Sequence, residues 1–262
     1  MRPSVLVLHL PGTNRDHDVA EACVRAGGSP EILPLAGLLE GGRRLSEFQM
    51  LVLPGGFSHG DDLGAGRVWA MALRHHLRDQ ITDFVESGRP VLGICNGFQA
   101  LIKAGLLPLG KDDGVWAEAR PATLTNNASG KFECRWIRLK PNPLSPCVFT
   151  AGLSEEIYCP VAHGEGRVVT RDADRLSLLE DHHQVALRYT HPNGDEVVYP
   201  HNPNGSQNHI AALCNAAGNV MGMMPHPEDH IWPMQHPGFH RGRSGQSGLV
   251  LFQNGINYAA QL

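Results

Sequence analysis

Short, wholly apolar runs closed by turn residues recur along the first half of the chain. Residues 4–10 (SVLVLHL) stop at Pro11-Gly12, and residues 50–53 (MLVL) stop at Pro54-Gly55-Gly56. Runs of this length without polar alternation are what strands buried on both faces look like. Residues 31–35 and 90–94 are two more candidate strands. Between the strands the period changes to that of a helix. Residues 16–26 have an acidic first turn and end at Gly27-Gly28, and residues 98–104 follow the fourth strand almost at once. Residues 67–87 place Val68, Met71, Ala72, Leu77, Ile81, Phe84 and Val85 at helical spacing and end at Gly88. This alternation predicts an α/β fold: a mostly parallel central sheet with helices on both faces.

The second half changes character. Between residues 115 and 169 the pattern is broken by Pro141, Pro143, Pro146, Pro160 and several glycines, while residues 132–139 alternate apolar with charged positions. Such alternation marks half-exposed strands, so antiparallel additions to the sheet are expected. Further strands are predicted at 185–189, 196–199, 210–213 and 220–224, a closing helix at 248–260, and a flexible loop at 238–248. No internal repeat or low-complexity segment divides the sequence, and residues 1–262 are expected to form a single domain.

Composition narrows the function. With 42% hydrophobic and 18% charged residues over 262 positions, the chain can bury a sizeable core, which excludes disorder, collagen and coiled coil as overall classes. Twenty-two Lys and Arg against 26 Asp and Glu give a formal net charge of -4, with no long basic run, so the footprint of a nucleic-acid binder is missing. Apolar stretches fall far short of the ~20 residues of a membrane span, and the start of the chain lacks a signal-peptide layout. A cytoplasmic protein without membrane or nucleic-acid partners is expected. Six cysteines (Cys23, Cys95, Cys134, Cys147, Cys159, Cys214) form no C-x-x-C pair, against a disulfide framework or zinc ribbon. The histidine clusters at 75–76, 182–183 and 226–240 contain no H-E-x-x-H, and no metal site is expected.

Chemistry concentrates at two places. Gly93-Ile-Cys95-Asn-Gly97 sets a cysteine at a strand-to-helix turn between two glycines, the grammar of a nucleophile elbow. A side chain at such a tip strains its backbone, and small neighbours let strand and helix approach. Free N–H groups at the helix start favour thiolate, so Cys95 is the candidate nucleophile. A thiolate needs a base and a group that orients it. Met223-Met-Pro-His226-Pro-Glu228 follows an apolar strand and supplies both. Pro227 disfavours the helical region for His226, so an extended segment is expected to turn His226 and Glu228 to one side. An attacked carbonyl also needs oxyanion donors. Asn96 N–H is one, and the Gly55-Gly56-Phe57 loop at the same sheet edge offers the second from Gly56 or Phe57.

These residues resemble the class I glutamine amidotransferases, with a Cys-His-Glu triad on a parallel α/β sheet. Longer motifs are similar to the family of glutaminase parts of phosphoribosylformylglycinamidine synthases: Pro11-Gly-Thr-Asn14, the stretch from Gly55 to Gly66, His163-Gly-Glu-Gly-Arg167, Asn202-Pro-Asn-Gly-Ser206 and the late H-P-E. Asn127-Ala-Ser129 and Phe132-Glu133 fit as well. The resemblance implies that Cys95 attacks the glutamine side-chain amide and that His226 assists hydrolysis of a thioester. It also implies contacts to glutamine from Gln99, with Gly55, Gly56, Phe57, His163 and Glu165 as the other candidates. The implied partner is a formylglycinamidine ribonucleotide synthetase subunit, with room for a small accessory subunit. ATP and magnesium are expected on that partner and no cofactor on this chain. Three departures from the family stand out: His59 in place of tyrosine, Arg15 in place of cysteine, and Asp229 in place of arginine. A cysteine peptidase or amidase with the same elbow, or a regulatory subunit with a decayed site, are the competing expectations.

Overall fold

The computed structural model describes residues 2–108, 114–117 and 120–262. The first half builds β1 (Ser4–His9), α1 (Asp16–Arg25), β2 (Ser29–Pro34), α2 (Leu35–Leu39), β3 (Met50–Leu53), α3 (Arg67–His76), α4 (Arg78–Glu86), β4 (Val91–Ile94) and α5 (Asn96–Ala104). The second half adds β5 (Ala122–Thr125), β6 (Glu133–Pro141), β7 (Ile157–His163), β8 (Arg167–Thr170), α6 (Ala173–Asp181), β9 (Val185–Thr190), β10 (Ile210–Cys214), β11 (Val220–Met223) and α7 (Leu249–Ala259).

The main sheet has the order β2-β1-β3-β4-β11-β10-β9-β6-β7. From β2 to β11 neighbouring strands are parallel, with Val5 opposite Met50, Leu51 opposite Val91 and Gly222 opposite Gly93. From β11 to β7 every pairing is antiparallel, and β5 with β8 forms a separate antiparallel pair. The parallel strands are apolar because both faces are covered: all residues of β3, β4 and β11 are buried. The chain leaves β1 for β2 on one side and for β3 and β4 on the other, so right-handed crossovers put α1 and the later helices on opposite faces. The carboxyl ends of β1, β3, β4 and β11 therefore share one edge, at the point where the strand order reverses, where α/β sheets build their sites. No helix among the described residues is long and apolar enough to cross a membrane.

Several elements depart from expectation. The helix predicted over 67–87 is two helices, α3 and α4, broken at Leu77 (φ -111°, ψ 10°). The buried side chains of α3 are Trp69, Ala70 and Leu73, whereas Met71 is exposed. Residues 196–199 form no strand; Val198 and Tyr199 lie exposed ahead of the turn at Asn202. The segment 238–248, expected as a flexible loop, is anchored at its end, where Ser247 Oγ accepts from Tyr158 N–H (2.8 Å) and donates to Tyr158 O (3.1 Å). β7 was hidden by Pro160, whose missing N–H is tolerated because β7 is an edge strand.

Candidate active site

The turn between β4 and α5 carries Cys95 at φ 50° and ψ -103°, a conformation strained for any residue with a β-carbon. The strain is held by the surroundings. Cys95 N–H donates to Met223 O at 2.8 Å, and Gly97 sits so close to β3 that a β-carbon there would lie 2.0 Å from Leu53 O. The thiol is buried at the start of α5, with Sγ 3.7 Å from Ala162 O on β7.

Beyond β11 the chain runs on to His226, whose N–H donates to Pro160 O at 2.8 Å along the free edge of β7. His226 Nδ1 meets Glu228 Oε1 at 2.7 Å, in a single 3-10 turn over Pro227–His230 and not in the extended segment expected from Pro227. Both side chains are buried, Glu228 completely. Burial opposes a charge on the imidazole, but the charges of Glu228 and Cys95, and the hydrogen bonds to both, hold His226 well above the usual histidine range. Its Nε2 is buried without a hydrogen-bond partner among the described residues, on the ring that feels the charge of Cys95. Cys95, His226 and Glu228 thus lie together at the carboxyl edge of the sheet.

Gly55 closes this line from the β3 side: a β-carbon there would fall 2.8 Å from His226 Cε1. The neighbouring loop corrects one expectation. Phe57 N–H donates to Gly12 O at 2.9 Å, next to the bridge between Thr13 and Gly56, and is not free to hold an oxyanion. Gly56 N–H makes no such bond among the described residues, and Asn96 N–H stands at the start of α5. The Phe57 ring is exposed and stands 6.3 Å from that of Phe132.

Gln99, expected beside bound glutamine, has its amide engaged within the protein. Its Nε2 donates to Glu165 O (2.7 Å) and its Oε1 accepts from Asn96 Nδ2 (2.9 Å). Asn96 also accepts from Ser58 N–H (3.1 Å) and donates to Asp61 (3.0 Å), so it locks the loop after β3 to the turn at Cys95. Burial raises the Asp61 carboxyl and lowers the Lys103 ammonium, which pairs with Glu165 at 3.3 Å and donates to Ala65 O. Glu165 is thus fixed by its backbone and its side chain.

His163, at the end of β7, is 2% exposed and meets Asn127 Oδ1 through Nδ1 at 3.1 Å. Asn204 in the N-P-N-G-S stretch donates to Gly166 O (2.7 Å) and to Tyr189 OH (3.0 Å), while Asn202 accepts from Gly205 and Ser206 N–H groups. Asn204 thereby clamps the His163–Arg167 loop, while Asn202 holds its own turn. Their roles were not assigned from sequence, although asparagine, glycine and serine at fixed spacing were the visible signal. A second feature was visible only as isolated oddities. Arg15 and Asp229, both departures from the resembled family, pair at 3.1 Å, with Arg15 also 3.1 Å from Asp18. Two unusual residues of opposite charge are one ion pair beside Glu228.

A family model for the CobB/CobQ-like glutamine amidotransferase domain matches residues 2–259. The chain is similar to phosphoribosylformylglycinamidine synthase subunit PurQ from Treponema denticola, at 41% identity over 98% of this chain and 99% of that one. PurQ from Dehalococcoides mccartyi is 42% identical over 98% of each chain. Among solved structures it is similar to a chain of PurLQS from Thermotoga maritima, with 34% identity, a TM-score of 0.74, and coverage of 98% of this chain and 99% of that one. Matched along nearly its whole length, the chain belongs to the family of CobB/CobQ-like glutamine amidotransferase domains.

Proposed function

We infer that this chain is the glutaminase subunit of a phosphoribosylformylglycinamidine synthase, supplying ammonia to a synthetase partner in purine biosynthesis. The relatives carry that name, and the Thermotoga maritima neighbour was solved in PurLQS. The observation that carries the chemistry is the line Cys95, His226, Glu228 at the carboxyl edge of the sheet. ATP and magnesium belong to the partner, this chain works without a cofactor of its own, and the complex is cytoplasmic. Residues 1–262 act as one catalytic domain.

The geometry supports one course of reaction. Cys95 Sγ attacks the side-chain carbonyl of glutamine, forming an S–C bond, and the developing oxyanion is held by the N–H groups of Asn96 and Gly56. His226, holding at Nε2 the proton that the Cys95 thiol gives up, passes it to the amide nitrogen as the C–N bond breaks. Ammonia leaves and a γ-glutamyl thioester remains. Water then attacks the thioester, passing a proton to His226 Nε2, and the C–S bond breaks to release glutamate. The buried Glu228 keeps Nδ1 occupied throughout, so the proton moves only at Nε2. Changing Cys95→Ala in the assembled complex is expected to abolish glutamine-dependent synthesis while ammonia-dependent synthesis continues. Unchanged glutamine-dependent synthesis would overturn the assignment.

A further inference from the structure

A cavity of about 320 Å³ lies between the start of α3, the end of α5 and the strand β5, and its lining carries charge that the fold does not use. Three cations, Arg67, Lys103 and Arg120, line it against one carboxylate, Glu165. Lys103 and Glu165 pair with each other at 3.3 Å, which leaves two positive charges over. Asp61 stands near this pair but not in the lining, and its Oδ1 is held by Gly66 N–H (3.3 Å) and Asn96 Nδ2 (3.0 Å).

The two remaining guanidinium groups reach the cavity from separate segments. Arg67 opens α3, and its side chain folds back over the loop before it, where Nη1 donates to Leu63 O at 3.2 Å. Glycine at position 64 makes room for this: a β-carbon there would lie 3.4 Å from Arg67 Cδ and 3.6 Å from Nε. Arg120 enters from ahead of β5 and has no ion pair or hydrogen bond among the described residues. The Thr125 hydroxyl and the Asn126 amide, at the end of β5, line the same cavity and also lack a partner there. Lys103 is only 8% exposed and uses two of its three N–H donors, on Ala65 O and Glu165.

Unpaired donors and two uncompensated charges around one cavity match an oxyanion of charge -2, which planar guanidinium forks grip in pairs. Glutamine, a zwitterion without net charge, does not match it, and Lys103 stands eight residues beyond Cys95, about 12 Å along the axis of α5. We propose that this cavity is a binding site for a phosphate dianion, free or as a small monoester, gripped by Arg67 and Arg120, with Lys103, Thr125 and Asn126 completing its hydrogen bonds. The site is separate from the thiol chemistry and does not depend on the glutaminase reading.

Calorimetric titration of the full chain with ribose 5-phosphate and with inorganic phosphate, at pH 8 and constant ionic strength, tests it. Saturable binding with a Kd of about 1 mM or tighter is expected for at least one of them. Tighter binding of the ester assigns the rest of the cavity to an organic body, and equal binding assigns recognition to the phosphate alone. The double variant Arg67→Ala, Arg120→Ala is expected to weaken binding at least tenfold, and in the complex to keep the wild-type kcat and KM for glutamine measured without phosphate. The pair Arg67→Lys, Arg120→Lys keeps the charge without the forks and is expected to fall between, with thermal unfolding of both variants reporting a folded chain. Absence of saturable binding of either compound, an unchanged Kd in the folded alanine variant, or displacement of the phosphate by glutamine would overturn the proposal. Failure of the glutaminase reading would appear elsewhere, as absence of glutamine hydrolysis by the wild-type complex.

Discussion

Cys95 occupies a backbone conformation that costs about 1–3 kcal/mol, and the close packing of α5 on β3 keeps it there. The same closeness sets the position of the base. Gly55 leaves His226 only the width of a missing β-carbon, and Gly55→Ala would drive a methyl group to 2.8 Å from Cε1. The ring must then shift from the thiol while Glu228 holds its far nitrogen. Glutaminase activity of the complex is expected to fall roughly 100-fold in kcat, the scale of a misplacement of about 1 Å. Thermal unfolding of the variant, followed in parallel, should report a folded protein. An unchanged kcat would contradict the placement of the base. At this scale the meeting of Cys95 with His226 and Glu228 was legible in the sequence, because the elbow and H-P-E are local patterns. The engagement of Phe57 N–H by Gly12 and of the Gln99 amide by Asn96 and Glu165 was not, since each depends on partners distant in the chain.

Between elements, the site depends on segments that no local pattern connects. The free edge of β7 receives His226 through Pro160 O, and the residue before α1 reaches the turn after β11 through the pair of Arg15 with Asp229. Burial and the neighbouring Glu228 charge lift Asp229 to about 6, although His226 and Arg15 pull it down. Above that pH the ionised carboxylate relies on Arg15. Arg15→Met is expected to cost about 2 kcal/mol at pH 8, the scale of a charged hydrogen bond lost in a partly buried site. Below pH 6 folding takes up a proton at Asp229, so the penalty shrinks as pH falls and grows as pH rises. Denaturant unfolding at pH 5 and pH 8 measures it; a penalty independent of pH would contradict the pairing. The parallel strands could be read from the sequence because apolar runs between turn residues specify burial on both faces. β7 and the break at Leu77 could not: proline reads as an interruption whether the strand is central or at an edge, and helical spacing continues across a one-residue break.

For the molecule as a whole, the sheet brings the ends of four parallel strands to one edge and turns β7 back against them, which buries the thiol, the imidazole and the carboxylate together. Outside this line stand two exposed rings, Phe57 in the loop after β3 and Phe132 beside it. A glutaminase that feeds a synthetase needs this combination, a dry reaction centre near a surface that a partner can meet. The most direct measurement is acid quenching of the complex during turnover with glutamine, followed by peptide mass spectrometry. A γ-glutamyl adduct on Cys95 is expected, absent when His226 or Cys95 is replaced by alanine. Glutamine hydrolysis without any adduct on Cys95, or with the adduct on another cysteine, would contradict the account.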